Sequence, residues 1–136
     1  MRILAIDYGK KRTGIAVTDP LQIIAQGLTT VETHMALVFL KDYVQKEPVE
    51  TIIIGDPRNL DDSATDATAA AEEFVKKLKR HFPSINIVTV DERYSSKMAS
   101  RAMIEMGMKK KQRQNKAMVD EIAATIMLQE YLAKIS

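Results

Sequence analysis

The chain has 136 residues, 46% of them hydrophobic, with a net charge of +2 and no cysteine. That length suits a single domain, 1–136, whose core stands without staples, and the missing cysteines exclude disulfides and thiolate metal sites and fit a reducing, cytoplasmic setting. So small a net charge does not argue for a nucleic-acid partner by itself; the placement of the charges has to do so. His34 and His81 lie far apart and outside any zinc-ligand spacing, and read as helix-surface or helix-end residues. No apolar run approaches the roughly 18 residues of a membrane span, and Asp7 interrupts what would be a signal peptide, so the expectation is a soluble protein without a membrane partner.

In chain order, Ile3-Leu4-Ala5-Ile6 is apolar on both alternating faces and runs into Asp7 and Gly9, the pattern of a central strand ending in a carboxylate. Lys10-Lys11-Arg12-Thr13-Gly14 reads as a basic turn, and Ile15–Thr18 as a second strand, antiparallel to the first and closed by Asp19-Pro20. A third strand is expected within Ile23–Val31. Met35–Gln45 has helical periodicity and Pro48 ends it, after which Thr51–Gly55 is a β-branched run of the kind buried on both faces. A loop from Asp56 to Asp62 leads to a helix capped at Ser63 and running to about Arg80. Ile85–Val90 is a further strand, followed by Asp91-Glu92-Arg93 and a helix from Ser95 or Ser96 to Met106, with Gly107 as its C-terminal cap. The basic stretch Lys109-Lys110-Lys111-Gln112-Arg113-Gln114-Asn115-Lys116 precedes a last helix over Ala117–Lys134. Strands first, then strands alternating with helices, predict a mixed sheet flanked by helices on both faces.

Asp7 and Glu92 then close two separate strands at the edge where such sheets build their sites. Asp7 taken alone reads equally well as a turn former beside Gly9. The third acid is Asp120: residues 120, 123, 124, 127 and 131 share a helix face carrying Ala123, Ala124, Met127 and Tyr131, which turns Asp120 toward the core. Three carboxylates without Cys or His form a hard oxygen set suited to Mg²⁺ or Mn²⁺, and the cation relieves their mutual repulsion. Two such ions about 4 Å apart serve phosphodiester hydrolysis. Lys10, Lys11, Arg12, Arg93 and the run Lys109, Lys110, Lys111, Arg113 and Lys116 set cations around these acids, as a polyanionic backbone requires. By itself the last run reads as a solvated loop.

The motifs Asp7-Tyr8-Gly9-x-Lys11-Arg12-x-Gly14, Gly55-x-Pro57, Asp91-Glu92-Arg93 and Val119-Asp120-x-x-Ala123-Ala124, closing on Leu128-Gln129-x-Tyr131-Leu132, resemble the YqgF family in order and spacing. This is the Holliday-junction-resolvase-like branch of the RNase H-like nucleases, also described as pre-16S ribosomal RNA nucleases. The resemblance covers essentially the whole chain. It implies an α/β, RNase H-like fold: a five-stranded mixed sheet, three antiparallel strands then two parallel ones. It also implies that Asp7, Glu92 and Asp120 are catalytic metal ligands, with Asp7 bridging two ions, and that Arg12 and Arg93 hold phosphate or orient the acids. The favoured substrate is a precursor of the small-subunit ribosomal RNA, with ribosomal precursor particles as partners and a monomer or weak homodimer as the working form.

The sequence departs from the family at Asp56, where an apolar residue is usual, at Asp62, where glycine is usual, and at Tyr94-Ser95-Ser96, where Leu-Thr-Thr is common. Two other readings stand beside RNA cleavage: resolution of four-way DNA junctions, which calls for a symmetric dimer, and a non-catalytic nucleic-acid-binding module. An actin-like or sugar-kinase-like ATPase, which also uses Asp-x-Gly before a hairpin, is disfavoured because its nucleotide clamp needs a second lobe.

Overall fold

The apolar run after Met1 forms β1 (Arg2–Tyr8), the middle strand of a five-stranded sheet, in a computed structural model that describes residues 1–56, 66–91 and 116–135. β1 pairs antiparallel with β2 (Arg12–Thr18), which pairs antiparallel with β3 (Ala25–Glu32). On its other side β1 is parallel to β4 (Val49–Asp56), and β4 to β5 (Asn86–Asp91), giving the order β3-β2-β1-β4-β5. This is the mixed arrangement expected, three antiparallel strands followed by two parallel ones. A single 3₁₀ turn, Thr33–Met35, leads from β3 into α1 (Ala36–Lys46); α2 (Asp66–His81) and α3 (Lys116–Ile135) complete the described helices.

β1 is apolar on both faces because each is covered. Leu4 and Ile6 join Ile15, Ile52 and Ile54 under Ala36 and Leu40 of α1 and Phe74 and Leu78 of α2. Ile3, Ala5, Ala16, Ala25 and Ile53 face Ala124, Met127 and Leu128 of α3. Alternation along the strands thus sorts the sequence into two cores, one for each layer of helices. The predicted face of α3 is the buried one: Ala123, Ala124 and Met127 are buried, while Asp120 and Tyr131 lie half-buried at its margins.

Several boundaries move for identifiable reasons. β2 begins at Arg12 rather than Ile15, because Thr13 already pairs with Tyr8 and Arg12 with Glu32, which shortens the basic turn. β3 continues to Glu32. α1 starts one residue later than its periodicity suggested, the 3₁₀ turn taking Met35, and the extended conformation of Glu47 before Pro48 ends it. His34 sits exposed in the 3₁₀ turn and His81 exposed in the last turn of α2. The cap expected at Ser63 and the helix expected from Ser95 or Ser96 to Met106, with its Gly107 cap, lie outside the described residues.

The β2–β3 connection is built on one carboxylate. Asp19 accepts the backbone N–H groups of Leu21 (3.2 Å), Ile23 (2.7 Å) and Ile24 (2.8 Å), and Gln22 adopts a left-handed backbone with φ 59°. The Ile24 N–H, assisted by those of Ile23 and Leu21, holds the Asp19 carboxyl below its ordinary value of 3.8 against the opposing effect of burial. The loop thereby keeps Leu21, Ile23 and Ile24 outward, each more than 60% exposed.

Two predictions follow from this packing. Leu128→Ala, which empties a fully buried position, lowers unfolding stability by about 2–5 kcal/mol in urea titration, whereas Leu21→Ala, at a 76% exposed site, changes it by less than about 0.5 kcal/mol. Because a depressed carboxyl stabilises fully above its unfolded pKa and ceases to as pH falls through the folded one, Asp19 contributes above about pH 4 and loses its effect below. Asp19→Asn therefore flattens the acid limb of Tm against pH; an unchanged slope would show that the acid sensitivity arises elsewhere.

Candidate active site

β1 ends at the C-terminal edge of the parallel strands, where Asp7 is half-buried on the face covered by α3. Its cross-strand partner is Gly14. On the parallel side Ile6 pairs with Ile54, so the next residue along, Gly55, stands level with Asp7. Both positions flanking Asp7 in the sheet are therefore glycine, so neither adjoining strand sets a side chain beside it at that level.

α3 enters that space through its backbone. A Cβ placed on Gly14 would overlap the main-chain carbonyl of Asp120, so the helix rests directly on the strand beside Asp7. One strand further out, a Cβ on Gly27 would meet the Glu121 side chain. With Ala5, Ala16 and Ala25 beneath and Ala124 above, the contact is made largely of small residues, which lets helix and sheet approach closely. The register therefore brings Asp7 of β1 and Asp120 of α3 to the same face at the same sheet edge.

The Asp120 carboxylate accepts a charge-assisted hydrogen bond from Arg12 Nε at 3.2 Å, with side-chain exposures of 26% and 36%. Arg12, expected to hold phosphate or orient the acids, lies against one of those acids. Lys10 and Lys11, the exposed residues just before it, line with Arg12, Glu32 and His34 an open basin of about 560 Å³. Tyr8 points to the opposite face and packs on Phe74, ring centroids 4.9 Å apart. Burial raises its phenol pKa, so it adds no second negative charge beside Asp7 at neutral pH.

Two residues absent from the predicted set complete the local structure. Thr33 Oγ1 donates to the Gly9 carbonyl at 2.6 Å, the Thr33 N–H donates to the Lys11 carbonyl at 3.0 Å, and buried Thr13 lies 3.0 Å from the Thr33 hydroxyl. Neither threonine stands out in the sequence, because a lone hydroxyl at a strand end has no spacing that marks it.

Of the other predicted residues, Glu92 and Arg93 lie outside the described residues, immediately after β5 ends at Asp91, as do Lys109, Lys110, Lys111 and Arg113. Lys116 is the first residue of α3. Asp56 closes β4, and Asp62 is outside the described residues. Among the described residues no three acids, histidines or cysteines gather as a metal cluster; Asp7 and Asp120 offer oxygen donors only. That donor chemistry suits a hard divalent cation, and the Arg12 guanidinium engages Asp120 through one oxygen, Oδ2.

The chain matches, over residues 1–134, the family described as "RuvX: Holliday junction resolvase". A protein of Flavobacterium psychrophilum named "Putative pre-16S rRNA nuclease" is 57% identical over 133 residues, covering 98% of this chain and 97% of the relative. One of the same name from Bacteroides thetaiotaomicron is 59% identical over 131 residues, covering 96% and 95%. Among solved structures, the fowlpox virus resolvase with Holliday junction DNA aligns with a TM-score of 0.62 at 12% identity, covering 99% of both chains. Thermus thermophilus RuvC with a Holliday junction substrate aligns at 0.57 and 14%, covering 100% of this chain and 96% of that one. At such identities these likenesses establish the fold, RNase H-like as expected.

The close helix–sheet contact is directly testable. Gly14→Ala, opposed by main-chain atoms, destabilises the protein by about 1–3 kcal/mol in denaturant titration. Gly27→Ala, opposed by a Glu121 side chain able to swing aside, costs less; equal losses would show that α3 does not bear on β2 at Asp120.

Proposed function

The chain belongs to the RuvX Holliday junction resolvase family, and from that membership we propose that it is a metal-dependent endonuclease whose substrate is the precursor of 16S ribosomal RNA. The observation that carries this reading is that Asp7 pairs with Gly14, on which the Asp120 backbone rests, beside the Lys10–Arg12 turn. An acidic pair next to a cationic turn on one sheet edge suits a phosphodiester backbone, whose phosphates the cations attract while the acids face the bond to be cut.

In this mechanism Asp7, Glu92 and Asp120 would hold two Mg²⁺ or Mn²⁺ ions. Such ions supply Lewis-acid stabilisation of the charge that gathers on the phosphate and make water a better nucleophile at neutral pH. The chain's own groups do the positioning. Gly14 sets the depth at which Asp120 stands, Arg12 fixes the orientation of its carboxylate, and Asp7 is held by the last pairs of the central strand. Lys10 and Lys11, with Arg93, Lys109, Lys110, Lys111, Arg113 and Lys116, draw in and align the polyanion.

RNA is favoured because the relatives sharing more than half of this sequence over nearly its whole length carry the rRNA-nuclease name. Processing of that precursor would take place in the cytoplasm, on ribosomal precursor particles; no helix among the described residues is long and apolar enough to cross a membrane. The family description favours a second reading, resolution of four-way DNA junctions.

Cleavage of end-labelled precursor RNA, duplex DNA and four-way junctions with Mg²⁺ or Mn²⁺ decides among these. Asp7→Asn and Asp120→Asn are expected to reduce cutting to below about 1% of native, on the scale of losing one charge-stabilising group in a site, and chelation to abolish it. Near-native activity in Asp7→Asn would remove the mechanism, and junction-selective cutting would replace RNA by DNA as the substrate.

A further inference from the structure

We infer that Thr33 is a positioning residue for nucleic-acid binding: it clamps the β1–β2 turn so that the Gly9–Lys10 peptide and the Lys10 and Lys11 side chains are presented to a phosphate of the bound strand. The inference rests on the nuclease reading and extends it to a residue outside the acidic site.

The turn Gly9-Lys10-Lys11 lies between the last β1–β2 pair, Tyr8 with Thr13, and the first β2–β3 pair, Arg12 with Glu32. A connection this short and this cationic would splay through self-repulsion and fraying unless its backbone were tied. Thr33 ties it twice, through its hydroxyl to the Gly9 carbonyl and through its N–H to the Lys11 carbonyl, so that both ends of the turn are fixed to the start of the 3₁₀ turn. Because the single hydroxyl proton of Thr33 is directed to Gly9, the hydroxyl of Thr13 is the donor in the Thr13–Thr33 contact, and that buried side chain fixes the rotamer of Thr33 in turn.

The orientation of this clamp has a chemical result. All described peptide bonds are trans, and in a trans peptide the C=O and the following N–H point in opposite directions. Drawing the Gly9 carbonyl to Thr33 therefore turns the Lys10 N–H away from Thr33. Thr13 shares the strand face of Ile15, on the α1 and α2 side, while Arg12 alternates to the α3 side, where it meets Asp120. Thr33 thus holds the turn from one face and leaves the other, next to the acids, to a ligand. A backbone N–H flanked by lysine ammonium groups binds phosphate well, and the basin lined by Lys10, Lys11, Arg12, Glu32 and His34, the last two lying 3.4 Å apart, gives it room. Gly9 suits the geometry, since a Cβ there would lie 2.5 Å from the Arg12 carbonyl oxygen.

The test compares native protein, Thr33→Val, which keeps the shape and removes the hydroxyl, and Thr33→Ser, which keeps the hydroxyl. Binding of a fluorescein-labelled precursor RNA is measured by anisotropy in chelator, apart from turnover, over a series of salt concentrations. Thr33→Val is expected to weaken binding about 3- to 10-fold and to reduce the slope of log Kd against log salt by about one phosphate contact, with Thr33→Ser close to native. In metal, KM rises and kcat stays within about twofold. A cycle of Thr33→Val with Lys10→Ala is expected to be non-additive, because both act on the same turn. Native affinity and slope in Thr33→Val, full additivity in the cycle, or a loss confined to kcat would each overturn the inference. If the native chain binds no nucleic acid, the nuclease reading falls instead. Amide exchange then decides the clamp alone: faster exchange across residues 9–11 in Thr33→Val sustains it, and unchanged exchange refutes it.

Discussion

The closeness with which α3 lies on the sheet is the constraint from which the site follows. Where β2 and β3 pass beneath the helix they carry Gly14, Ala16, Ala25 and Gly27, and the helix answers with Ala123 and Ala124. Larger residues on either side would lift the helix and carry Asp120 away from Gly14, since well-packed layers do not deform to absorb extra volume. The small residues therefore set a distance as well as filling a core. The contact is also costly to lose, because Met127 and Leu128 bury their side chains in the same layer.

The polar half of the site depends on different physics. Arg12 and Asp120 are each partly exposed, so their ion pair adds little to stability and much to orientation. Thr33 works similarly through directional bonds to the Gly9 and Lys11 carbonyls, so that the hydrogen-bonding capacity of a tight turn is met from a neighbouring element. Apolar packing thus fixes where the elements stand, and short polar contacts fix which way Asp120 and the basic turn face.

Much of this was legible in the sequence, for a physical reason: alternation and helical period are local properties, and each core-facing run carried one. Ile3–Ile6 announced a strand covered on both sides, Thr51–Gly55 its parallel neighbour, and the phase of Asp120 with Ala123, Ala124 and Met127 put that acid on the core side of its helix. What the sequence concealed depends on contacts between distant segments. Nothing local indicates that Gly14 lies under the Asp120 backbone, that Arg12 turns to Asp120, or that Thr33 reaches back to Gly9. The early start of β2 was hidden for the same reason: Lys10–Thr13 has the composition of a turn, and only pairing with Tyr8 and Glu32 makes its second half a strand.

The Arg12–Asp120 pair spans 108 residues of chain. Contacts of such separation are closed late, after the loop entropy of the intervening segments has been met by their own local structure. The hairpin carrying Asp7 and the Lys10–Arg12 turn emerges first during synthesis, and Asp120 reaches the same sheet edge only once α3 has been made and has docked. A nascent chain therefore displays the basic turn before it holds an assembled acidic pair. Under the nuclease reading, a protein still attached to the ribosome that made it would be able to touch RNA before it could cut any.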